Sequence, residues 1–155
     1  MADIKIRKAT HEDLNQLYVF EQDLIRTERP FDPTIKEKTH YYDLKEMITA
    51  SHIHLVVAEL NNRIIGTGYA RLETSKHYLK HSTHAYLGFM YVLPEHRGKG
   101  INKEIMEALK TWIRSQNIAE LRLEVYQNNI SAIKAYEKFG FEKHILEMRT
   151  NLEEK

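Results

Sequence analysis

The stretch from Ala85 to Leu109 constrains the fold more than any other part of the chain. It begins with a short apolar and aromatic run, 85–92, which ends near Pro94, and such a run bounded by a turn signal predicts a buried strand. A basic turn with two glycines follows at 97–100. Apolar residues then recur at the spacing of one helix face: Ile101, Ile105, Met106, Leu109 and Ile113. The stretch therefore predicts a strand, a glycine turn and a helix in direct succession.

The glycine turn is suited to binding an anion such as a phosphate. The first N–H groups of a helix have no partner within the helix, and the helix dipole adds partial positive charge there. Gly98 and Gly100 let the backbone approach a phosphate, while Arg97 and Lys99 add charge. The chain has no P-loop string G-x-x-x-x-G-K-S/T, and Lys103 stands where a dinucleotide-binding loop has its third glycine. The alternative is a helix that uses glycine only for its turn.

Residues 97–102 resemble motif A of the GNAT family of N-acetyltransferases. That motif follows a strand and has the pattern Q/R-x-x-G-x-G/A, where x is any residue. Arg97 and Gly100 fit the pattern, whereas Asn102 departs from it at the last position. Asn102 still offers a backbone N–H group at the start of the helix.

Composition limits the classes of protein that remain. A chain of 155 residues predicts a single domain, 1–155, that buries about two-thirds of its unfolded surface. The formal net charge of +1 predicts no nucleic-acid and no membrane partner. The absence of cysteine excludes disulfides, metal sites with cysteine ligands and cysteine nucleophiles. With no long apolar run and no signal-peptide pattern, the sequence predicts a cytoplasmic protein.

The N-terminal half predicts a mixture of strands and helices. A first strand is expected at 4–7, a helix from a capping-box-like pair, Thr10 and Asp13, to just before Pro30, and a second helix from about 36 to 50. Apolar runs at 54–60 and 63–72 flank Asn61 and Asn62, which predicts a tight antiparallel hairpin.

Two clusters in this half are candidate sites. Acidic and aromatic residues mix around Pro30, which fits either an ordinary helix connection or a substrate-facing loop. His77, His81 and His84 lie close together, but their spacing matches no zinc signature and no cysteine assists them, so a solvated loop is favoured over a metal site.

The C-terminal half adds a second motif. The alternation over 120–125 predicts a strand that follows the motif A helix and lies parallel to the central strand. A helix should follow, capped by Asn128 or Asn129 and ended at Gly140. This stretch resembles motif B of the same family, V-x-x-x-N-x-x-A-x-x-x-Y-E-K-x-G-F, through Val125, Asn129, Ala132, Tyr136, Glu137, Lys138, Gly140 and Phe141. The alternative is a capped amphipathic helix with Tyr136 in the core.

The resemblance implies an α/β fold of the α+β mixed-sheet type. Its sheet is expected to have six or seven strands, an antiparallel N-terminal half, a parallel central pair splayed around coenzyme A, and helices on both faces. Residues 141–152 have room for one long strand or a very tight pair. A single last strand would widen the acceptor cleft, or a partner subunit of a homodimer would complete it.

The resemblance also implies a reaction: direct attack of a primary amine, on a small molecule or a peptide, on acetyl-coenzyme A in a ternary complex. Tyr136 is implied as the general acid that protonates the leaving thiolate, and the Met90 N–H group as the donor to the thioester oxygen. The implied coenzyme A contacts are Met90, Tyr91, Val92, Arg97, Gly98, Lys99, Gly100, Ile101, Asn102, Asn129, Ala132 and Tyr136. No metal is implied.

The general base and the acceptor stay open at this stage. The central strand carries no carboxylate, and the candidates for the base are Tyr86, His84, Glu28, Asp32, Glu73 or a chain of water molecules. Glu28, Phe31, Asp32 and Tyr86 are the expected acceptor contacts. Two other functions compete: a coenzyme A-binding regulatory domain without turnover, and an acyltransferase with another acyl chain or a hydroxyl acceptor. The intact Tyr136 favours an active enzyme over the regulatory domain.

Overall fold

The computed structural model describes residues 3–153. It forms two compact units, one that ends at Glu124 and one that begins at Val125. That the whole chain is a single domain stays a prediction. The elements of the first unit are β1 Lys5–Lys8, α1 Leu14–Glu28, α2 Leu44–Thr49, β2 Ile53–Leu60, β3 Arg63–Thr74, β4 Thr83–Val92, α3 Ile101–Ser115 and β5 Leu121–Arg122. The second unit contains α4 Ile130–Lys138.

The strands form one mixed sheet in the order β1-β2-β3-β4-β5. The first four strands are antiparallel to their neighbours, and β4 pairs with β5 in parallel. This arrangement confirms the mixed sheet with an antiparallel N-terminal half. The expectation of six or seven strands is wrong for the described residues, because 141–153 form neither helix nor strand. The strand expected at 120–125 is also shorter, since β5 pairs only at Leu121 and Arg122 and offers a further strand little edge.

Helices cover both faces of the sheet, as expected. On one face, α1 and α2 enclose a buried cluster that includes Phe20, Leu44, Leu55, Val57 and Phe89. On the other face, α3 lies against glycines of β3, and a Cβ atom at Gly68 would stand only 2.9 Å from Cγ2 of Ile105. The alternation of inward residues along β2 and β3 thus supplies two separate apolar layers.

The turn chemistry of the N-terminal half agrees with its sequence. Asn61 and Asn62 have φ values of 51° and 63°, the left-handed conformation that a two-residue hairpin turn requires. The Thr10 N–H group donates to Oδ2 of Asp13 at 2.8 Å, which is one half of the predicted capping box. The helix α1 ends at Glu28, before Pro30.

The second helix is much shorter than the expected 36–50. Tyr41 and Tyr42 donate their N–H groups to Oε2 of Glu21, both at 2.9 Å, so these groups do not enter a helical ladder. The helix α2 begins only after Asp43, whose side chain accepts from the Glu46 N–H group at 3.2 Å. A buried carboxylate of α1 therefore sets the conformation of the segment that connects α1 to α2.

Candidate functional site

A β-bulge interrupts β4 at its centre. Thr67 pairs with Tyr91 and Tyr69 pairs with Gly88, so β4 contains one more residue than β3 between these pairs. Phe89 has a φ of +52° there, which a non-glycine residue rarely adopts. The bulge lies beside Met90, the predicted donor to the thioester oxygen. Bulges re-aim backbone groups and are common next to active sites.

The side chains of Met90 and Tyr69 pack closely against glycines beside this bulge. A Cβ atom at Gly68 would stand 2.7 Å from Sδ of Met90, so the Met90 side chain uses the space that Gly68 leaves free. A Cβ atom at Gly88 would stand 2.5 Å from the Tyr69 hydroxyl oxygen, so the Tyr69 ring crosses β4 at this glycine. The glycines are thus places where side chains approach the backbone closely.

One edge of β4 becomes free just before the bulge. Its parallel pairing with β5 ends at Tyr86, and β4 continues to Val92. In the described part of the chain no strand pairs with this edge beyond Tyr86. The predicted contacts Met90, Tyr91 and Val92 therefore lie on the stretch of β4 that pairs with no strand on this side, as the predicted splayed pair requires.

The glycine turn leads from β4 into α3 as the sequence predicts. Gly98 and Gly100 have φ values of +76° and +81°, and a Cβ atom on either would meet no protein atom within 4 Å. The glycines are required by the left-handed backbone, and open space lies beside them. Arg97 donates from Nε to the Val92 carbonyl oxygen at 2.8 Å, and its guanidinium lies 5.5 Å from the centre of the Tyr91 ring. The turn is therefore fixed to the end of β4, with the open start of α3 beside it.

A cleft of about 530 Å³ lies in the first unit. Its lining comes from α1 and from the segment that Glu21 holds: Tyr18, His40, Tyr41, Tyr42 and Asp43. Glu21 is fully buried, and its Oε1 lies 2.7 Å from Nδ1 of His40. The ring of Tyr42 packs 4.8 Å from that of Phe89, so the cleft wall contacts the bulge residue of β4 directly.

The tyrosines of the cleft continue along the sheet as a connected series of rings, which we call the tyrosine cluster: Tyr41, Tyr42, Tyr69 and Tyr86. Successive ring centres lie 5.7, 5.7 and 6.3 Å apart. Burial raises the pKa of the Tyr42 and Tyr86 hydroxyls, so both stay protonated and can donate at neutral pH.

Glu124 lies at one end of the tyrosine cluster, and no sequence pattern predicts this position. The Tyr86 hydroxyl donates to Oε1 of Glu124 at 3.0 Å, just beyond the last paired residue of β5. Glu124 is exposed. Glu124 follows the last paired residue of β5 by two positions, but the end of that pairing is known only from the structure.

The other candidates for the base are placed less favourably. His84 is buried, with Nδ1 2.7 Å from the Ser75 hydroxyl and Nε2 3.2 Å from Glu73. Glu73 also pairs with Arg71 at 2.7 Å. Asp32 is buried and accepts from the Thr34 N–H group at 3.0 Å. Tyr86 is a hydrogen-bond donor with a raised pKa, which disfavours it as a base.

Glu28 differs from these candidates. It is half-buried at the end of α1, and among residues 3–153 it forms no ion pair within 4 Å. Burial raises the pKa of its carboxyl group, and the Tyr41 hydroxyl opposes that rise. Phe31 follows it in a short 3-10 turn, Arg29–Phe31.

The predicted residues of the second unit lie on α4. The Asn129 side-chain oxygen accepts from the Ala132 N–H group at 3.3 Å and caps the helix, as the sequence predicts for Asn128 or Asn129. The Tyr136 ring lies edge-on to Phe141 at 6.0 Å. Gly140 has a φ of +99°, the left-handed conformation expected after a helix. The roles of Asn129, Ala132 and Tyr136 toward coenzyme A stay predictions.

Two features are absent from residues 3–153. No three His, Asp or Glu side chains are grouped so that they could hold a metal ion. No helix is both long and apolar enough to cross a membrane. The cytoplasmic location stays a prediction.

Comparison with known proteins gives the family. A profile described as the acetyltransferase (GNAT) family matches residues 18–141. A Bacillus subtilis (strain 168) protein, the uncharacterized N-acetyltransferase YycN, is 30% identical over 115 residues, which cover 74% of this chain and 72% of that protein. The aminoglycoside N(6')-acetyltransferase type 1 of Salmonella typhimurium is 23% identical over 72% of this chain and 77% of that enzyme. The streptothricin acetyltransferase of Escherichia coli is 41% identical over 46 residues, 30% of this chain, so the match spans about a quarter, 26%, of that enzyme.

Solved structures agree with the fold. A Bacillus halodurans protein superimposes with a TM-score of 0.84 at 17% identity, over 96% of this chain and 99% of that one. A predicted acetyltransferase from Clostridium acetobutylicum, solved with acetyl-CoA, superimposes with a TM-score of 0.71 at 21% identity, over 97% of each chain. Fold and site define a mixed α/β protein with a phosphate-suited turn beside a free strand edge. The chain belongs to the acetyltransferase (GNAT) family.

Proposed function

We propose that this protein is an N-acetyltransferase that transfers the acetyl group of acetyl-coenzyme A to a primary amine of a small molecule. The observation that carries the proposal is the turn between β4 and α3. It combines two left-handed glycines, open space beside each and the free N–H groups of a helix N-terminus. The turn lies directly after the free edge and the bulge of β4, so a phosphate site and an open backbone edge are adjacent.

The chain's own residues fit coenzyme A. Residues Arg97 to Asn102 would hold its pyrophosphate, and the free edge of β4 at Met90, Tyr91 and Val92 would pair with the amide groups of its pantetheine arm. Acetyl-coenzyme A supplies the activated acetyl thioester. The supporting observation is that a Cβ atom at Gly98 or Gly100 would use space that no protein atom occupies.

The proton transfers are assigned to three groups. Glu124 takes the proton that the acceptor ammonium must lose, because its carboxylate lies at the point where β4 and β5 separate and is fixed there by the Tyr86 hydroxyl. The Met90 N–H group, beside the bulge, donates to the thioester oxygen as negative charge develops on it. Tyr136 donates the proton that the departing thiolate needs, since a phenol is protonated at neutral pH.

A relative supports an amine as the acceptor. The Salmonella typhimurium relative is named as an aminoglycoside N(6')-acetyltransferase, that is, for transfer to a nitrogen. The competing proposals are a regulatory domain that binds coenzyme A without turnover, and transfer of another acyl group or to a hydroxyl acceptor. The Glu124 carboxylate at the end of the tyrosine cluster favours a cationic amine over a neutral hydroxyl compound.

A thiol-release assay tests the proposal. Purified protein is incubated with acetyl-coenzyme A and a panel of diamines, amino acids, aminoglycosides and N-terminal peptides, and free thiol is measured. We expect release with at least one amine and acetylated product in the mass spectrum. Tight binding of coenzyme A without release for any acceptor would contradict the proposal and favour the regulatory domain. The variant Glu124→Gln should retain coenzyme A binding and lose turnover by about 10²–10⁴-fold, the usual contribution of a positioned base.

A further inference from the structure

The carboxylate of Glu124 depends on one hydrogen bond for its position. Glu124 is exposed, and among residues 3–153 the Tyr86 hydroxyl, which donates to Oε1 at 3.0 Å, is the one hydrogen-bond partner of this carboxylate. A long exposed side chain keeps its rotational freedom unless a partner removes it. The orientation of the Tyr86 ring therefore determines where the carboxylate of Glu124 lies.

Arg71 packs on the same tyrosine ring from the neighbouring strand. It lies opposite Tyr86 in the pairing of β3 with β4. Its guanidinium lies over the Tyr86 ring, 5.2 Å from the ring centre, and 5.5 Å from the centre of the Tyr69 ring. A planar guanidinium packs against aromatic faces and is attracted by their negative charge. Arg71 therefore restricts the Tyr86 ring from the β3 side.

Arg71 is itself fixed by the next pair of residues on the two strands. Oε2 of Glu73 lies 2.8 Å from Nε and 2.7 Å from Nη2 of Arg71. The other oxygen, Oε1, lies 3.2 Å from Nε2 of His84, which is opposite Glu73 on β4. His84 is buried, and its Nδ1 lies 2.7 Å from the hydroxyl oxygen of Ser75, which is also buried. The guanidinium is thus connected to buried groups, which keep it against Tyr86.

We propose that Arg71 is a positioning residue for the acetyl transfer: it holds the Tyr86 ring in the orientation from which its hydroxyl binds Glu124. The proposal rests on the proposed acetyltransferase function, in which Glu124 is the base, and it adds a residue that acts on this base from another strand. In this role Arg71 neither gains nor loses a proton. Its effect on turnover should therefore disappear when the Tyr86 hydroxyl or the Glu124 carboxylate is absent.

The kinetic test combines substitutions at Arg71 and Glu124. Arg71→Gln alone should lower kcat by about 10–10²-fold, the cost of a misplaced catalytic group, with an unchanged KM for acetyl-coenzyme A. In a Glu124→Gln background the same substitution should change kcat by no more than about twofold, because the group that it positions is already lost. The matched control is Arg63→Gln, which removes an exposed arginine from the same strand and should leave kcat unchanged in both backgrounds.

Three kinetic outcomes would overturn the proposal: a wild-type kcat in Arg71→Gln, an equal loss in Arg63→Gln, or a loss that keeps its full size in the Glu124→Gln background. The last outcome would mean that Arg71 affects turnover by a route other than Glu124. Urea unfolding of each variant shows whether the protein is folded. If Arg71→Gln does not fold, Arg71→Lys takes its place, since it keeps a charge beside Glu73 but lacks the planar guanidinium, and the same pattern is expected.

A second measurement tests the positioning without any turnover. The carboxyl ¹³C resonance of Glu124, assigned by its loss in Glu124→Gln, reports the hydrogen bond from Tyr86. At one fixed pH, Tyr86→Phe should shift this resonance, and Arg71→Gln should shift it in the same direction but add nothing to Tyr86→Phe. An unchanged resonance in Arg71→Gln, or a further shift in the double variant, would reject the proposal. If no amine is acetylated, the proposed function fails, and this resonance still decides whether Arg71 positions Glu124.

Discussion

At the scale of single residues, Tyr136 is the proposed general acid. Its hydroxyl is the only part that a general acid needs, while its ring contacts Phe141 within the second unit. The structural and the catalytic role can therefore be separated by one substitution that keeps the ring.

We expect Tyr136→Phe to lower kcat by about 10²–10⁴-fold. Coenzyme A affinity should barely change, because the lost interaction is made in the transition state alone. The measurement is kcat with the best acceptor together with calorimetric coenzyme A binding. A kcat within about threefold of the wild type, with chemistry limiting the rate, would reject the general acid.

A substitution at Gly100 tests the proposed phosphate site when coenzyme A affinity and stability are measured separately. Its φ of +81° makes any Cβ atom strained, although no protein atom would crowd that atom. Gly100→Ala should therefore cost about 1–2 kcal/mol of unfolding free energy and also weaken coenzyme A binding, because the new methyl group enters the ligand's space. Calorimetry and urea unfolding measure the two effects.

Gly140 provides the matched control for that variant. It also has a positive φ, +99°, and open space around its Cβ position, but it ends α4 instead of starting α3. Gly140→Ala should show a similar loss of stability with unchanged coenzyme A affinity. Equal affinities for wild type and a folded Gly100→Ala would remove the turn from the cofactor site.

At the scale of elements, the segment between α1 and α2 is shaped by one buried carboxylate. Glu21 binds Nδ1 of His40 and the N–H groups of Tyr41 and Tyr42. Gln22 of α1 donates to the Thr39 carbonyl oxygen, and Arg29, just after α1, donates to the carbonyl oxygens of Lys36 and Glu37. A segment without regular structure is thereby fixed as the wall of the cleft.

The variant Glu21→Leu should destabilise the protein by about 1–3 kcal/mol, because it removes the carboxylate oxygen that accepts from the N–H groups of Tyr41 and Tyr42. Urea unfolding measures the change. Gln22→Ala is the comparison, since it removes a single bond to the Thr39 carbonyl at the rim and should cost about 0.5–1.5 kcal/mol. Equal losses in both variants would mean that Glu21 does not determine the segment's conformation.

The contact between β2 and α3 predicts a pH dependence. The His54 ring stacks on Trp112 at 5.0 Å, and burial, with a smaller effect of Lys8, lowers the pKa of His54. The unfolded chain therefore binds a proton at His54 more readily than the folded chain does. This contribution to stability is complete above the unfolded pKa of about 6.5 and is lost as pH falls through the lower folded pKa.

Unfolding in urea, followed by the emission of the single tryptophan, Trp112, measures this effect. The difference in unfolding free energy between wild type and His54→Asn should be constant above neutral pH and should shrink as the solution is acidified. A difference that stays constant down to pH about 5 would reject the assignment of a lowered pKa to His54.

The elements that sequence predicts best are those set by local chemistry. The hairpin at Asn61 and Asn62, the strand before Pro94, the turn at Gly98 and Gly100 and the cap at Asn129 all follow from turn or helix-end preferences of nearby residues. The elements that sequence misses are set by partners distant in the chain. Glu21 shortens α2 from twenty residues away, and the bulge at Phe89 depends on the packing of Tyr42 and Met90.

The residues of the candidate site also fall into those with a local sequence pattern and those that only the fold brings together. Motif A and motif B give the proposed coenzyme A residues, because each motif is a local strand–turn–helix or capped-helix pattern. The proposed base, Glu124, is bound by Tyr86 of β4, which lies 38 residues earlier in the chain. No local pattern joins these two residues, so only the fold reveals the pair.

At the scale of the whole molecule, the number of independently folding units is open to measurement. A single domain should show one calorimetric transition with equal calorimetric and van't Hoff enthalpies. Scanning calorimetry of the full chain gives this directly. Two resolved transitions would assign independent stability to the units that end at Glu124 and begin at Val125.

The close approach of Tyr69 to Gly88 has a consequence for the history of such a chain. A methyl group at Gly88 would lie 2.5–2.7 Å from three atoms of the Tyr69 side chain, two of which belong to the ring itself. Losing the hydroxyl alone does not make room, so the ring must first become smaller. The two positions are therefore linked in the order of their mutations: a side chain at 88 is best tolerated after 69 has changed, and the reverse order passes through a destabilised intermediate in which the Tyr69 ring must shift.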